Sequence, residues 1–510
     1  MNGKNRVYNV CRQCFTPNQP SWFIYKYFTT PGQPSWFVYV LASISFLVVA
    51  AATLTTLPFL LVGNFRLKDA CYGFKACSSL QGKTGSIIAA VDVSKLTVNA
   101  TVAFWSLFVF RYFRLAVNIV SYLKYKPSPI PANPSCTSRD VTVLIPTVEN
   151  NDAFLTCARS ICANRPAQLF VITVGQDMRD EIDNSLQGLR TEFPVVNMQV
   201  HYTEGANKRR QLDAVIPLIQ TQLTCMVDAT VIWGPRFFTS ALAPLEDPNV
   251  CLVGTNKRVR RTRSAGLFAS FWNFIGCLYL ERHNFEVRAQ NAISGEVFVI
   301  SGRTSVIRTV VIQDPDFRVG FVNERFFLGM RGPLAADDDN FIVRWVLKRG
   351  GGIKFQYDDD ARIDIAPIGE FPRFLSQCVR WARTTWRSNP AALKISHVWI
   401  NQPYSVYSIY LASFLNFALL VDTLLLYLCY RTDYVGETNW TSIWLLVIWI
   451  VCSKMVKLIT YFWREPRDLL FFPLYVLFAY YHSLIKLWAL LTFWDVAWSG
   501  RQLDLDLEVE

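Results

Sequence analysis

The sequence predicts an α/β domain over roughly 135–365, joined on both sides to an all-α set of membrane helices. Three observations carry this. The 510-residue chain is 52% hydrophobic and only 18% charged, below the quarter usual in soluble domains. Apolar runs long enough to cross a bilayer flank a middle stretch that has none. Within that stretch, short apolar runs alternate with helical patterns, as in a parallel sheet. The formal charge of +12 does not call for nucleic acid, because cytosolic Lys and Arg beside membrane helices give the same excess. No regular interleaving of Lys/Arg with aromatics builds an RNA platform. The 13 cysteines form no paired CxxC zinc pattern, and the CRQC at Cys11 and Cys14 has no second half.

Residues 1–35 read as an N-terminal cytosolic segment. No charge occurs over 27–65, and the apolar run 36–62 exceeds the ~20 residues needed to span a bilayer. It lacks a cleavage flank, so it reads as a retained helix. With a second apolar segment at about 90–113 it makes a two-helix region, 36–126. Apolar runs at 404–430, 440–459 and 469–491 make a C-terminal membrane region, 404–492. Arg111, Arg114, Lys124 and Lys126 follow the second segment, and Lys454, Lys457, Arg464 and Arg467 follow the fourth. Both groups put the middle domain in the cytosol; Arg66, Lys68, Lys75 and Lys83 pull the other way. The sequon Asn439-Trp440-Thr441 falls in a short outer loop. Pro473, His482 and Lys486 interrupt the last run, which reads as two short or re-entrant pieces and leaves the acidic tail 493–510 in the cytosol. Asn416 and Asp422, inside an apolar run, point to a lined path or to interhelical hydrogen bonding.

In the middle domain the apolar runs are VTVLIPTVEN (141–150), LFVITVGQD (169–177) and TCMVDATVIW (224–233). Ligands of parallel sheets sit at the carboxyl ends of the strands. Those ends carry Thr147 and Glu149, Asp177, and Asp228 with Thr230, although strand ends are often polar in any case. NKRRQ puts Lys208, Arg209 and Arg210 ahead of a helix, suited to a pyrophosphate or to a solvated face. ADDDNF holds three consecutive carboxylates, Asp337 to Asp339, costly unless solvated or near a cation. A carboxylate beside a phosphate-binding cation can act as a general base; the DDD at 358–360 reads as a plain polar loop. In QCVRWARTTWR (377–387), Gln377, Arg380 and Trp381 share one helix face. Amide, guanidinium and indole suit a sugar hydroxyl, a diphosphate and a pyranose face. The same segment, 366–400, also reads as an interfacial helix, with Arg373, Arg383 and Arg387 at lipid headgroups and Trp386 at the interface. The two readings are compatible.

Taken in order, PTVEN, NKRRQ, VDAT, ISGRT (300–304), DDDNFIVRW, QCVRW and AWSGR (497–501) resemble the motifs of processive family 2 glycosyltransferases. These are the membrane synthases of hyaluronan, cellulose and chitin, and the fungal hyaluronan-synthase-like branch looks nearest. The resemblance spans roughly 140–501. It implies a GT-A-type domain with a multi-helix membrane region, polymerising a UDP-sugar into a β-linked cell-surface polysaccharide and moving it across the plasma membrane. It implies Asp339, with Asp338 beside it, as the catalytic base. It assigns Thr147, Glu149, Asp177, Lys208, Arg210, Asp228, Gln377, Arg380 and Arg501 to the nucleotide sugar, and Ser301, Gly302 and Trp381 to the acceptor. Asp228 and Thr230 would hold Mg2+ or Mn2+. The implied partners are a UDP-sugar, the growing polysaccharide and the bilayer. Three departures stand out: Thr230 replaces the second Asp of Asp-x-Asp, Gly175-Gln176-Asp177 lacks an acidic pair, and Trp498-Ser499-Gly500-Arg501 differs from Trp-Gly-Thr-Arg. A single-transfer lipid glycosyltransferase of the ceramide type, and a non-catalytic transporter or scaffold keeping the fold, are the rival readings.

Overall fold

The structure is a computed structural model that describes residues 99–263, 266–369, 371–432, 434–435 and 440–496. The helix expected over 36–62, the sequon residue Asn439, and the AWSGR segment with Arg501 lie outside the described residues. The described residues form two compact units, 118–418 with 454–496, and 99–117 with 419–453.

Helix α1 (Ala100–Lys124) ends in the first unit. After it come β1 (Val141–Pro146), α2 (Asp152–Cys162), β2 (Gln168–Val174), β3 (Asn197–Thr203), α3 (Lys208–Val215) and β4 (Leu223–Val227). The chain continues through β5 (Val231–Trp233), β6 (Val250–Thr255), β7 (Lys257–Val259), the long α4 (Gly266–Ser294), β8 (Thr304–Arg308), α5 (Asp338–Lys348), β9 (Gly352–Gln356), β10 (Ile363–Ile365) and α6 (Arg373–Ala392). Seven strands form one sheet in the order β3-β2-β1-β4-β8-β6-β9, and β5-β10-β7 form a second. Val141, Val143, Leu144 and Ile145 are fully buried, as expected for a strand covered on both faces.

Two expectations change here. The sheet is mixed, because β8 runs antiparallel between β4 and β6. That reversal sets the start of β8 beside the end of β4: Thr304 pairs with Val227, and Asp228 N donates to Arg303 O at 2.9 Å. The run 224–233 is also not one strand. It breaks at Asp228-Ala229-Thr230, and β5 leaves for the second sheet. A polar turn is thereby exposed at the sheet edge.

Among the described residues, two helical stretches are long and apolar enough to cross a membrane: Ala100–Lys124 and Pro466–Leu491. Pro403–Leu415 and α7 (Ala418–Tyr430) make an apolar pair bent by 87°, and α8 (Thr441–Val456) is shorter. So the run at 404–430, expected to cross once, is the broken one. The run at 469–491, expected to be interrupted, holds one continuous helix, α9 (Phe472–Leu491). Pro473 is harmless there because it falls in the first turn, where no backbone N–H bond is lost. Lys486 finds partners at the break itself: its Nζ donates to Ser413 O at 2.7 Å and Asn416 O at 3.0 Å. These are carbonyls that the interrupted helix leaves over.

In the second unit, Asp422 on α7 is 1% exposed and pairs with Arg111 on α1 at 2.7 Å. Of the two roles open to it, the interhelical one is what the structure displays. Phe108 and Tyr112 on α1 pack against Trp449 of α8, with ring centroids 5.9 and 5.5 Å apart.

Candidate active site

Two cavities meet at the carboxyl edge of β1 and β4. The first, about 400 Å3, is bordered by Thr147, Glu149, Thr230, Arg373 and Gln377. The second, about 340 Å3, is bordered by Lys257, Ser301, Gly302, Asp338, Asp339 and Trp381. Lys208, Asp228, Arg303 and Arg380 border both. At the β1 end, Thr147 Oγ1 donates to Glu149 O at 2.8 Å and accepts from Glu149 N at 3.2 Å, closing a tight turn. Gln211 braces it, its amide donating to Thr147 O and Ile172 O.

Lys208 opens α3, whose N-cap is Asn207; its side chain accepts from Arg209 N and Arg210 N. The Lys208 ammonium lies 2.9 Å from Asp228 Oδ1 and 3.0 Å from Asp338 Oδ2, and it donates to Gly302 O at 3.3 Å. Burial works against this charge, but Asp228 and Asp338 outweigh it and hold the pKa above the ordinary lysine value. For Asp338, burial is overcome by Lys208, so this acid stays ionised below its usual range.

Asp339 differs. Burial first, then the charges of Asp338 and Asp337, push its pKa up. Its Oδ2 accepts from Gly302 N at 3.0 Å, and its Oδ1 accepts from Asn340 N at 2.8 Å and Asn340 Nδ2 at 2.9 Å. A Cβ at position 302 would stand 3.2 Å from Asp339 Oδ2, so any larger residue there would press on this acid. The positive dipole end at the start of α5 works against this rise without cancelling it. The result is a basic carboxylate held on a rigid element. Asp337 supplies the left-handed N-cap, at φ 59. Thr384 donates to its Oδ1 at 2.9 Å, and Arg387 lies 3.2 Å from its Oδ2, tying the acidic block to α6.

Helix α6 spans the expected segment. Arg380 borders both cavities, Gln377 only the first and Trp381 only the second. Gln377 Nε2 is committed to Ile368 O at 2.7 Å. Trp381 packs on Tyr279 with centroids 5.1 Å apart, while Trp386 packs on Phe414 at 5.2 Å. Two of the three arginines that the interfacial reading gave to lipid headgroups, Arg383 and Arg387, are buried in ion pairs instead. Arg383 is buried against Asp495 at 2.8 Å, Arg387 is buried against Asp337, and Arg373 borders the first cavity.

Some expected residues are not brought in. Asp177 is exposed in the first turn of the helix Gln176–Ser185, and Arg210 is exposed on α3; neither borders the cavities. β2 ends at Val174, and the chain turns at Gly175 into that helix before Asp177 can face the edge. Of the three NKRRQ cations only Lys208 reaches the site. Arg209, 1% exposed, instead binds Phe321 O, Glu324 and Ala336 O, fixing the residue before Asp337. Arg303, Tyr279 and Lys257 were not singled out from the sequence. Arg303 sits inside ISGRT and was legible there as a cation next to the Ser-Gly pair.

Among the described residues, no group of three or more His, Cys, Asp or Glu side chains is arranged to hold a metal. The donor set fits a hard divalent cation in another way. Asp228 gives one oxygen to Lys208 and keeps a partly exposed carboxylate on the first cavity, next to Thr230. Mg2+ and Mn2+ sites are commonly one or two carboxylates completed by substrate phosphates and water.

A family model for "Glycosyltransferase like family 2" matches residues 138–384. A "Type 2 glycosyltransferase" of Pyricularia oryzae is 37% identical over 421 residues, 81% of this chain and 84% of the relative. Another of the same description from Gibberella zeae is 37% identical over 403 residues, 78% of this chain and 75% of the relative. Among solved structures, a mannosyltransferase from Pyrobaculum calidifontis, in complex with GDP-Man and Mn2+, aligns with a TM-score of 0.47 and 13% identity, covering 76% of this chain and 97% of that one.

Proposed function

The chain belongs to the family 2 glycosyltransferases, enzymes acting on nucleotide sugars, and from that premise we propose that it is a membrane-embedded, processive, inverting synthase. It extends a β-linked polysaccharide from a UDP-sugar on the cytosolic face of the plasma membrane and passes the product across. The observation that supports this best is the pair of cavities joined at Lys208, Asp228, Arg303 and Arg380, with Asp339 on the far side of the junction. The nucleotide occupies the first cavity, the sugar–phosphate bond lies at the junction, and the acceptor occupies the second.

Asp339 takes the proton from the acceptor hydroxyl. The freed oxygen lone pair forms the new bond to the anomeric carbon as the anomeric C–O bond to the diphosphate breaks, inverting the centre. The departing UDP is met by Arg380, Arg303 and the Lys208 ammonium. Asp228 and Thr230 would hold a divalent cation that supplies further positive charge to the diphosphate. Trp381, backed by Tyr279, carries the apolar face of the acceptor sugar. Tyr410 and Ser413, in the segment that ends at the bent break, line the same acceptor cavity, which favours a polymer leaving towards the membrane over a single transfer.

Purified full-length protein in lipid nanodiscs, given a panel of UDP-sugars one at a time, is expected to release UDP and form long polymer from at least one. Excess chelator should stop turnover. Trp381→Ala should abolish polymer in folded protein, whereas Trp386→Ala should act on stability. Release of UDP with only mono-glycosylated lipid would replace the processive reading; equal activities of the two Trp variants would remove Trp381 from the acceptor site.

A further inference from the structure

Just ahead of the acidic block the chain makes a finger. Phe326 N donates to Arg331 O at 2.9 Å and Arg331 N donates to Phe326 O at 3.3 Å, so 326–331 closes as a small hairpin. Its tip is apolar and turned outward: Phe327 is 53%, Leu328 85% and Met330 61% exposed. Phe327 and Leu328 hold left-handed backbone, at φ 49 and 58, a conformation that is costly for a residue with a Cβ. Leu328, the most exposed of the three, gains little packing in return. The feet of the hairpin are fixed in the site. Glu324 pairs with Arg209 at 2.7 Å and with Arg344, and its backbone O accepts from Leu334 N at 2.9 Å. Ala336 O, two residues further on, is held by Arg209 at 2.7 Å, and the acidic block begins at the next residue.

The neighbours of the tip indicate what it meets. Phe327 packs on Phe493, with ring centroids 5.4 Å apart. Phe493 lies two residues past the end of α9, within reach of the stretch Pro466–Leu491 that is apolar and long enough to cross a membrane. Trp494 beside it is exposed. Arg383 of α6 pins this end, donating to Thr492 Oγ1 at 3.1 Å and pairing with Asp495 at 2.8 Å. At the base of the hairpin, Arg325 and Arg331 are exposed. Apolar tip, aromatic neighbours and flanking cations, set at the end of a membrane helix, match the acyl chains, interface and headgroups of a bilayer surface.

We propose that the hairpin 326–331 inserts Phe327, Leu328 and Met330 into the bilayer beside the end of α9, a lipid anchor rooted in the acidic block. The inference rests on reading α9 as a membrane helix. Continuity with that helix favours lipid over a soluble partner. The anchor gives the segment that carries Asp337 to Asp339 its own hold on the membrane surface, besides the one made through α6.

The test places the photo-crosslinker p-benzoylphenylalanine singly at Leu328, Met330, Leu477 and Leu218 of the full-length protein, in nanodiscs of phosphatidylcholine and phosphatidylserine. Leu477 is exposed on α9, and Leu218 is exposed shortly after α3. After irradiation, mass spectrometry identifies the adducts. Lipid adducts at 328 or 330, as at 477, with none at 218, support the proposal. Lipid adducts at 477 with none at 328 and 330 overturn it and leave the membrane helix standing. Adducts of 328 and 330 with the chain's own segment 497–510, or with another protein, overturn it as well, since the tip then has a protein partner. Lipid labelling at 218 equal to that at 328 overturns it by showing no preference for the tip. An absence of lipid adducts at 477 removes α9 from the bilayer, and the proposal with it. Both tip positions are exposed, so the substitutions leave the packed interior untouched.

Discussion

The chain contains the tripeptide Asp-Asp-Asp twice, at 337–339 and at 358–360, and folding gives the two copies opposite lives. The second copy turns the chain between β9 and β10. Asp359, 88% exposed at its side chain, pairs with Arg362, and Asp360 pairs with the exposed Arg236; Asp358 accepts from Ser240 Oγ. Water and flexible arginines dissipate the repulsion there. The first copy is removed from water at the start of α5, and each carboxylate has its own partners: Arg387 and Thr384 for Asp337, Lys208 for Asp338, Gly302 N and Asn340 for Asp339. The lesson is that three adjacent acids become three different chemical species only when fixed donors replace solvent. One stays ionised, one is raised towards a base, and one holds the block in place.

The comparison breaks most visibly at Asp339. Asp339→Asn is expected to lower turnover about 10^3-fold while UDP affinity, read by titration, stays within about threefold. Near-normal turnover would transfer the base to Asp338.

Asp338→Asn sharpens the contrast through pH. Asp339 works deprotonated, so activity falls as pH drops through its pKa, and the acid limb of kcat/KM should sit above the ordinary carboxylate value of 3.8. Removing the Asp338 charge removes one cause of the rise, so the limb should move to lower pH. Losing a partner of Lys208 should also cut kcat about 10- to 100-fold. An unmoved limb would mean that burial and Asp337 set the Asp339 value without Asp338.

Asp337→Asn leaves Arg387 buried without its counter-charge. A stability loss of about 3 kcal/mol is expected by chemical denaturation, with a fall in kcat and little change in KM. A KM effect of the same size would mean that Asp337 meets substrate directly.

The smallest effect belongs to the second triplet. Asp359→Asn should leave activity within about twofold and stability within about 0.5 kcal/mol; a larger loss would show that the turn is more than a solvated loop.

The sequence made the strand ends and the helix of QCVRW legible, because polar residues closing apolar runs and a 3.6-residue spacing are local signals. Asp228, Lys208 and Arg380 border both cavities, and Gly302 borders the second. Arg209 and Arg210 were indistinguishable from Lys208 in sequence. Only the rotation from residue to residue around α3 and the carbonyls of 321 and 336 sort them into a brace, a surface charge and a site residue. Lys257 and Tyr279 were silent because nothing near them in the chain marks them. They matter through the reversal of β8 and the long return of α4, which are non-local events. The position of the helix break was misread for the same reason: Lys486 looked like an interruption of its own helix, but it answers carbonyls some 70 residues earlier.

That pairing of Lys486 with Ser413 O and Asn416 O constrains how the protein can change. In an apolar setting an isolated lysine costs roughly 3 kcal/mol at the centre of a helix, and carbonyls freed from a helix lose their own partners as well. Each defect is tolerable here because of the other. Restoring a straight helix at 416 would take acceptors from the lysine, and replacing Lys486 by Met would take a donor from the carbonyls. The two positions are therefore heritable only as a pair: relatives that straighten the first segment should also have given up the cation in the second.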